Sequence, residues 1–168
     1  MDFFSVFTNP LLVDRFYLDG WVLFGWFSIA SFLKDFKKHV FLVLPFIAYL
    51  TLYIFGIPNE PSHGWYRYPF LPFLLTSAAL AIKEEYNKTS LLSVLFIFVV
   101  GLALFQNTWA ELFGFSYAVY RIFILASCAS ILIPLWFEKY KKYQKPILLS
   151  WLIFFVLLNI LSVIIYRE

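Results

Sequence analysis

Apolar residues occur in six long runs that are separated by short polar segments. The runs cover residues 17–33, 39–57, 68–82, 90–105, 118–137 and 146–166. Crossing a hydrocarbon core of about 30 Å takes roughly 20 helical residues, and these runs approach or reach that length. The pattern therefore predicts six transmembrane helices.

The type of element follows from how the apolar residues are spaced. The runs are apolar on every face, and they lack the strict alternation of apolar and polar residues that is typical of a transmembrane barrel. Composition agrees, because 62% of the residues are hydrophobic and 14% are charged, whereas a soluble domain has about 25% charged residues. We predict an all-α, polytopic membrane helix bundle.

The two kinds of basic residue are distributed differently along the chain. Every lysine lies in the segments after the first, third and fifth runs: Lys34, Lys37, Lys38, Lys83, Lys88, Lys139, Lys141, Lys142 and Lys145. The arginines lie at the opposite ends of the runs: Arg15, Arg67, Arg121 and Arg167. The positive-inside rule places the lysine segments in the cytoplasm, so both termini are predicted to be non-cytoplasmic.

The organisation of the chain is predicted to be one transmembrane domain, 1–168. Residues 1–16 are interrupted by polar residues and are expected to lie outside or along the interface, and residues 17–166 form the six-helix bundle. Without a recognisable signal peptide before a non-cytoplasmic N-terminus, the chain is expected to be a fragment or half of a larger protein.

The segment 63–73, His-Gly-Trp-Tyr-Arg-Tyr-Pro-Phe-Leu-Pro-Phe, carries the strongest candidate chemistry. Pro69 and Pro72 favour a stiff first helical turn. Arg67 directly precedes the helix N-terminus, whose unpaired amides and dipole attract anions, and a guanidinium can bind a phosphate in bidentate fashion. A lipid phosphate is the predicted ligand. The alternative is that residues 65–68 only anchor the helix in the membrane interface.

This segment resembles the start of a helix in the later part of GT-C membrane glycosyltransferases, which include protein O-mannosyltransferases and aminoarabinose transferases. The segment 17–27, followed by a lysine loop and a helix containing Pro45, is similar to the preceding helix pair in related prokaryotic proteins. The resemblance covers roughly residues 14–82. It implies transfer of a sugar from a polyprenyl- or dolichyl-phosphate carrier on the non-cytoplasmic side of a prokaryotic cell membrane.

The resemblance also implies site residues. Arg67 and Tyr68 would bind the carrier phosphate, and His63 would position the phosphate or the sugar. Arg121 is added as a second phosphate ligand from topology alone. The family's acidic pair in the first external loop is missing, so the catalytic residues are unknown and the enzyme is expected to be incomplete. Asp19 is the best remaining polar contact, although it equally fits a helix-start residue.

Other chemistries receive less support. A single cysteine, Cys128, excludes an internal disulfide and a cysteine-rich metal site, and His39 and His63 are predicted on opposite sides of the membrane. No cofactor, metal site or nucleic-acid partner is predicted, and a divalent metal lacks support.

Two functional classes remain open. One is a module of a lipid-linked sugar transferase, with the missing carboxylates supplied by an upstream segment or a partner subunit. The other is a non-enzymatic membrane protein that binds a lipid head group or scaffolds a partner.

Overall fold

The computed structural model describes residues 20–56, 68–104, 114 and 116–165, and these residues form helices and turns without any β-strand. Six α-helices follow one another: α1 Gly20–Phe32, α2 Val40–Gly56, α3 Phe70–Asn87, α4 Leu91–Leu104, α5 Tyr117–Trp136 and α6 Gln144–Ile165. Short 3-10 helices, Leu33–Asp35 and Glu138–Tyr143, follow α1 and α5. The all-α prediction is confirmed.

The helices differ from the apolar runs mainly at the end of α3. The third run stops at residue 82, but α3 continues through the polar sequence Lys83-Glu84-Glu85-Tyr86-Asn87. Lysine and glutamate have high helix propensity, so the loss of apolar character does not end the helix. Lys83 therefore lies in a helix and not in a loop.

Length separates the helices into two groups. Within the described residues, two stretches are long and apolar enough to cross a membrane, Ala118–Trp136 and Glu138–Leu161. The described parts of α1 and α2 contain 13 and 17 residues, about 20 and 26 Å at a rise of 1.5 Å per residue. The prediction of six spanning helices is thus supported by length and composition for two of them.

The chain divides into two compact units, Met1–Ala79 and Leu80–Glu168, with the boundary inside α3. In the first unit, helices α1 and α2 and the first half of α3 share a core. Its buried residues are Ile29, Phe46, Tyr53, Phe70 and Leu74.

The second unit is built around α4, α5 and α6. Its fully buried side chains include Phe96, Val100, Ile131, Leu148 and Phe155. The indole Nε1 of Trp151 on α6 donates a hydrogen bond to Ser130 Oγ on α5 over 2.9 Å. Ser130 thus belongs to a contact between helices, as its small size predicted.

Many large apolar side chains remain exposed on the outer faces of these units. The most exposed are Phe41 (94%), Phe55 (83%), Trp136 (70%) and Leu125 (69%). A soluble monomer rarely exposes so many large apolar side chains.

Candidate functional site

An aromatic cluster fixes the start of α3. Phe70, the first residue of the helix, is 2% exposed. Four rings surround it, with centroid distances of 4.8 Å to Tyr49, 5.4 Å to Tyr53, 5.5 Å to Trp26 and 5.8 Å to Phe46. The contacts with Tyr49, Tyr53 and Phe46 are edge-on, the arrangement that the quadrupoles of aromatic rings favour. The first turn of α3 is therefore held by α1 and α2.

A close contact between α1 and α3 holds the next turn. Ser77 Oγ donates to the carbonyl oxygens of Gly25 on α1, over 2.9 Å, and of Leu74, over 2.8 Å. A Cβ atom at Gly25 would lie 2.5 Å from Leu74 O, so the two backbones touch at this point. Only glycine permits this separation, which fixes the position of α3 against α1.

Tyr68 and Pro69 form an exposed turn directly before this fixed helix. Tyr68 is 47% exposed, and its carbonyl oxygen accepts a hydrogen bond from Leu71 N over 3.0 Å. Pro69 and Pro72 have no amide hydrogen and Leu71 N already donates to Tyr68 O, so the positive end of the helix dipole is the main attraction that this turn offers an anion beside Tyr68. The described part of the predicted phosphate site is thus rigid on its inner side and open on its outer side.

Three of the predicted site residues, Asp19, His63 and Arg67, lie outside the described residues. The roles of all three stay predictions.

Arg121 lies on α5 in the second compact unit, with an exposed side chain. Its helix begins at a capped end, because Ser116 Oγ accepts a hydrogen bond from Val119 N over 3.4 Å. The neighbouring Tyr120 is 7% exposed and donates its hydroxyl to Gly101 O over 3.5 Å. Tyr68 belongs to the first unit, so a joint site with Arg121 stays a prediction.

No protein-family model, curated protein or solved structure matches the chain. The resemblance to GT-C transferases therefore stays a prediction.

A polar cluster around Glu85 escaped the sequence reasoning. The carboxylate accepts hydrogen bonds from the backbone and hydroxyl of Ser90, over 2.6 and 2.7 Å, and from the backbone of Ser93 over 3.2 Å. The Ser93 hydroxyl is a fourth donor. The sequence signal was a glutamate placed five and eight residues before serines at the start of an apolar run.

The Glu85 cluster has a structural task. It satisfies amides at the N-terminal end of α4, where the helix dipole also favours a negative charge. Glu85 is 7% exposed, so its oxygens are occupied and largely closed to a ligand.

Metal-ligating side chains do not gather in the described part of the chain. Among those residues, no group of three His, Cys, Asp or Glu side chains is arranged to hold a metal ion. His39 instead stacks on Phe32 at the start of α2, with ring centroids 4.2 Å apart.

Proposed function

We propose that the chain is an integral membrane protein that binds the phosphate of a lipid-linked sugar at the start of α3, as the lipid-handling module of a glycosyltransferase. One observation carries this proposal: burial of Phe70 in the aromatic cluster holds the first turn of α3 in place and leaves Tyr68 exposed beside it. A helix end that is rigid before the ligand arrives binds a phosphate with little loss of conformational entropy.

Membrane embedding is supported by the outer surfaces of both units. Exposed phenylalanines on α2 and exposed isoleucines and leucines on α5 and α6 would be covered by lipid chains. The two stretches long enough to cross the bilayer add to this support. In the proposed arrangement all six helices span, the lysine turns face the cytoplasm, and Tyr68 and Arg121 face the opposite side.

In the proposed reaction, the role of this chain is to stabilise negative charge on the phosphate. Arg67 and the positive end of the α3 dipole would hold the carrier phosphate and stabilise the negative charge that grows on it as its bond to the sugar breaks. The acceptor oxygen bonds to the sugar carbon, and its proton passes to a carboxylate. That carboxylate would come from an upstream segment or a partner subunit.

The test is binding of a polyprenyl phosphate to the purified chain in nanodiscs. Arg67→Ala should weaken binding by at least about tenfold, consistent with the roughly 1.5–3 kcal/mol of a hydrogen bond to a charged group. Arg67→Lys should recover only part of the affinity, because an ammonium cannot form the bidentate contact.

Arg167→Ala is the matched control, since it removes an arginine that is predicted to be a simple anchor. Its affinity should equal that of the native protein. Equal binding by the native protein and Arg67→Ala would overturn the phosphate site.

A non-enzymatic head-group-binding protein is the second candidate. It is favoured by the Glu85 cluster, where the hydrogen bonds of a buried carboxylate serve the start of α4 and not a ligand. Sugar release from a polyprenyl-phosphate donor by native membranes that contain this chain would support the transferase. Binding without turnover under the same conditions would decide for the second candidate.

A further inference from the structure

A second chemically distinctive surface lies at the turn between α5 and α6. Four lysines, three tyrosines and a tryptophan are exposed there together with a single glutamate, Glu138. We call it the lysine–tyrosine surface, and it consists of Tyr86, Trp136, Lys139, Tyr140, Lys141, Lys142, Tyr143 and Lys145.

Three of the lysines lie against aromatic rings. The Nζ atoms of Lys139, Lys142 and Lys145 are 5.7, 5.0 and 5.3 Å from the ring centroids of Tyr140, Tyr143 and Tyr86. A cation–π contact of this kind limits the motion of the ammonium group without consuming its three N–H donors. The positive charges are thus positioned and still able to bind an anion.

The turn that carries these lysines is itself fixed by hydrogen bonds. Gln144 Nε2, at the start of α6, donates to Pro134 O near the end of α5 over 2.9 Å. Phe137 N donates to Ile133 O over 3.0 Å, and Tyr140 N donates to Phe137 O over 2.9 Å. These contacts satisfy carbonyls at the end of α5 and leave the lysine–tyrosine surface preorganised.

The neighbouring side chains indicate which anion fits. Directly beside the lysines, α5 and α6 expose apolar side chains, among them Ile133 (46%), Trp136 (70%) and Leu149 (41%). A ligand that covers both regions needs a negatively charged head joined to an apolar tail. A nucleic acid or an acidic peptide would leave the apolar part in water.

We infer that the lysine–tyrosine surface binds the head groups of anionic phospholipids, with the acyl chains lying along α5 and α6. The inference rests on the membrane embedding proposed above and is independent of the phosphate site at α3. Juxtamembrane lysines attract anionic lipids electrostatically, and tyrosines and tryptophans sit at the level of the head groups.

The test uses the full chain purified in detergent with equal amounts of phosphatidylglycerol and phosphatidylcholine, and native mass spectrometry to count retained lipids. The native protein should retain phosphatidylglycerol preferentially, and less of it as salt rises. K139Q/K142Q/K145Q should weaken phosphatidylglycerol binding by about 100-fold, since each lysine near a membrane surface contributes about 1 kcal/mol.

K34Q/K37Q/K38Q is the matched control, because it removes three lysines from the turn after α1 and changes the net charge equally. It should keep most of the preference for phosphatidylglycerol. Y86L/Y143L retains every charge and should lose several-fold in affinity, because the rings that position Lys145 and Lys142 are gone.

Equal losses in the two lysine variants would overturn the inference, as would no loss in either. Circular dichroism and gel filtration check that each variant is folded, and the salt dependence of the native protein tests the inference without any substitution. Arg67→Ala should bind phosphatidylglycerol normally, so failure of the α3 phosphate site and failure of this surface give different results.

Discussion

Glu85 is the residue whose role depends most on its surroundings. Four hydrogen bonds from Ser90 and Ser93 converge on its carboxylate, which therefore closes the turn between α3 and α4. Bonds to an ionised acceptor are stronger than neutral ones, and the buried donors would otherwise lose their partners.

Glu85→Gln should therefore destabilise the N-terminal end of α4. An amide has one acceptor oxygen in place of two, so at least one of the four donors loses its partner, at a cost of roughly 1–3 kcal/mol. Hydrogen exchange of the backbone amides at residues 90–93 in detergent should become faster as this stabilisation is lost.

Glu84→Gln serves as the control, because Glu84 is exposed one position earlier on the same helix. Exchange that is unchanged in Glu85→Gln, or equally faster in both variants, would show that the carboxylate does not cap α4.

The contact between α1 and α3 determines how these two helices pack. Gly25 and Ser77 bring two backbones together, and this contact supports the aromatic cluster around Phe70. In lipid, such close approach is a main source of association between helices, because apolar surface alone gives no preference for another helix.

Gly25→Ala should separate α1 from α3. The added methyl group would lie 2.5 Å from a backbone oxygen, Leu74 O, which cannot rotate away. Overpacking of this kind costs about 1–3 kcal/mol. Thermal unfolding in detergent, followed by circular dichroism, should show a lower midpoint, and binding of polyprenyl phosphate should weaken with it.

The comparison is Gly56→Ala. A Cβ atom at Gly56 would meet Leu52 Cδ1 at 2.9 Å, the end of a flexible side chain that can move. Its unfolding midpoint should remain close to that of the native protein. A Gly25→Ala variant as stable as Gly56→Ala would contradict the close contact.

At the scale of the whole molecule, the fold class was predictable but the contacts were not. Apolar runs are a local signal, so the existence and order of all six helices followed from the sequence. The extension of α3 beyond residue 82 was missed because the polar residues from Lys83 to Asn87 continue the helix after the apolar pattern ends. The close approach of Gly25 to Leu74 depends on tertiary geometry, which no local pattern encodes.

The candidate site was also predictable only in part, because its local features can be read from the sequence and its tertiary contacts cannot. Pro69 and the aromatic residues near it indicated a stiff helix start, whereas the packing of Phe70 against Trp26 and Tyr49 joins residues far apart in the sequence.

The proposed topology predicts which residues reagents can reach. In a Cys128→Ala background, Lys142→Cys should resist a membrane-impermeant maleimide in intact cells and react after the membrane is opened. Ser116→Cys, at the exposed N-terminal end of α5, should react in intact cells. Labelling of Lys142→Cys in intact cells would invert the proposed orientation and place the α3 phosphate site in the cytoplasm.

The short connection between α5 and α6 also affects the insertion of the protein during its synthesis. Only Phe137 and the 3-10 helix Glu138–Tyr143 separate the two helices. At synthesis rates of roughly 5–20 residues per second, they leave the ribosome within seconds of each other. The bond between Trp151 and Ser130 can form once both helices have left the ribosome. Replacing Trp151 or Ser130 should therefore lower the yield of inserted protein more than it lowers the stability of the protein that has already folded.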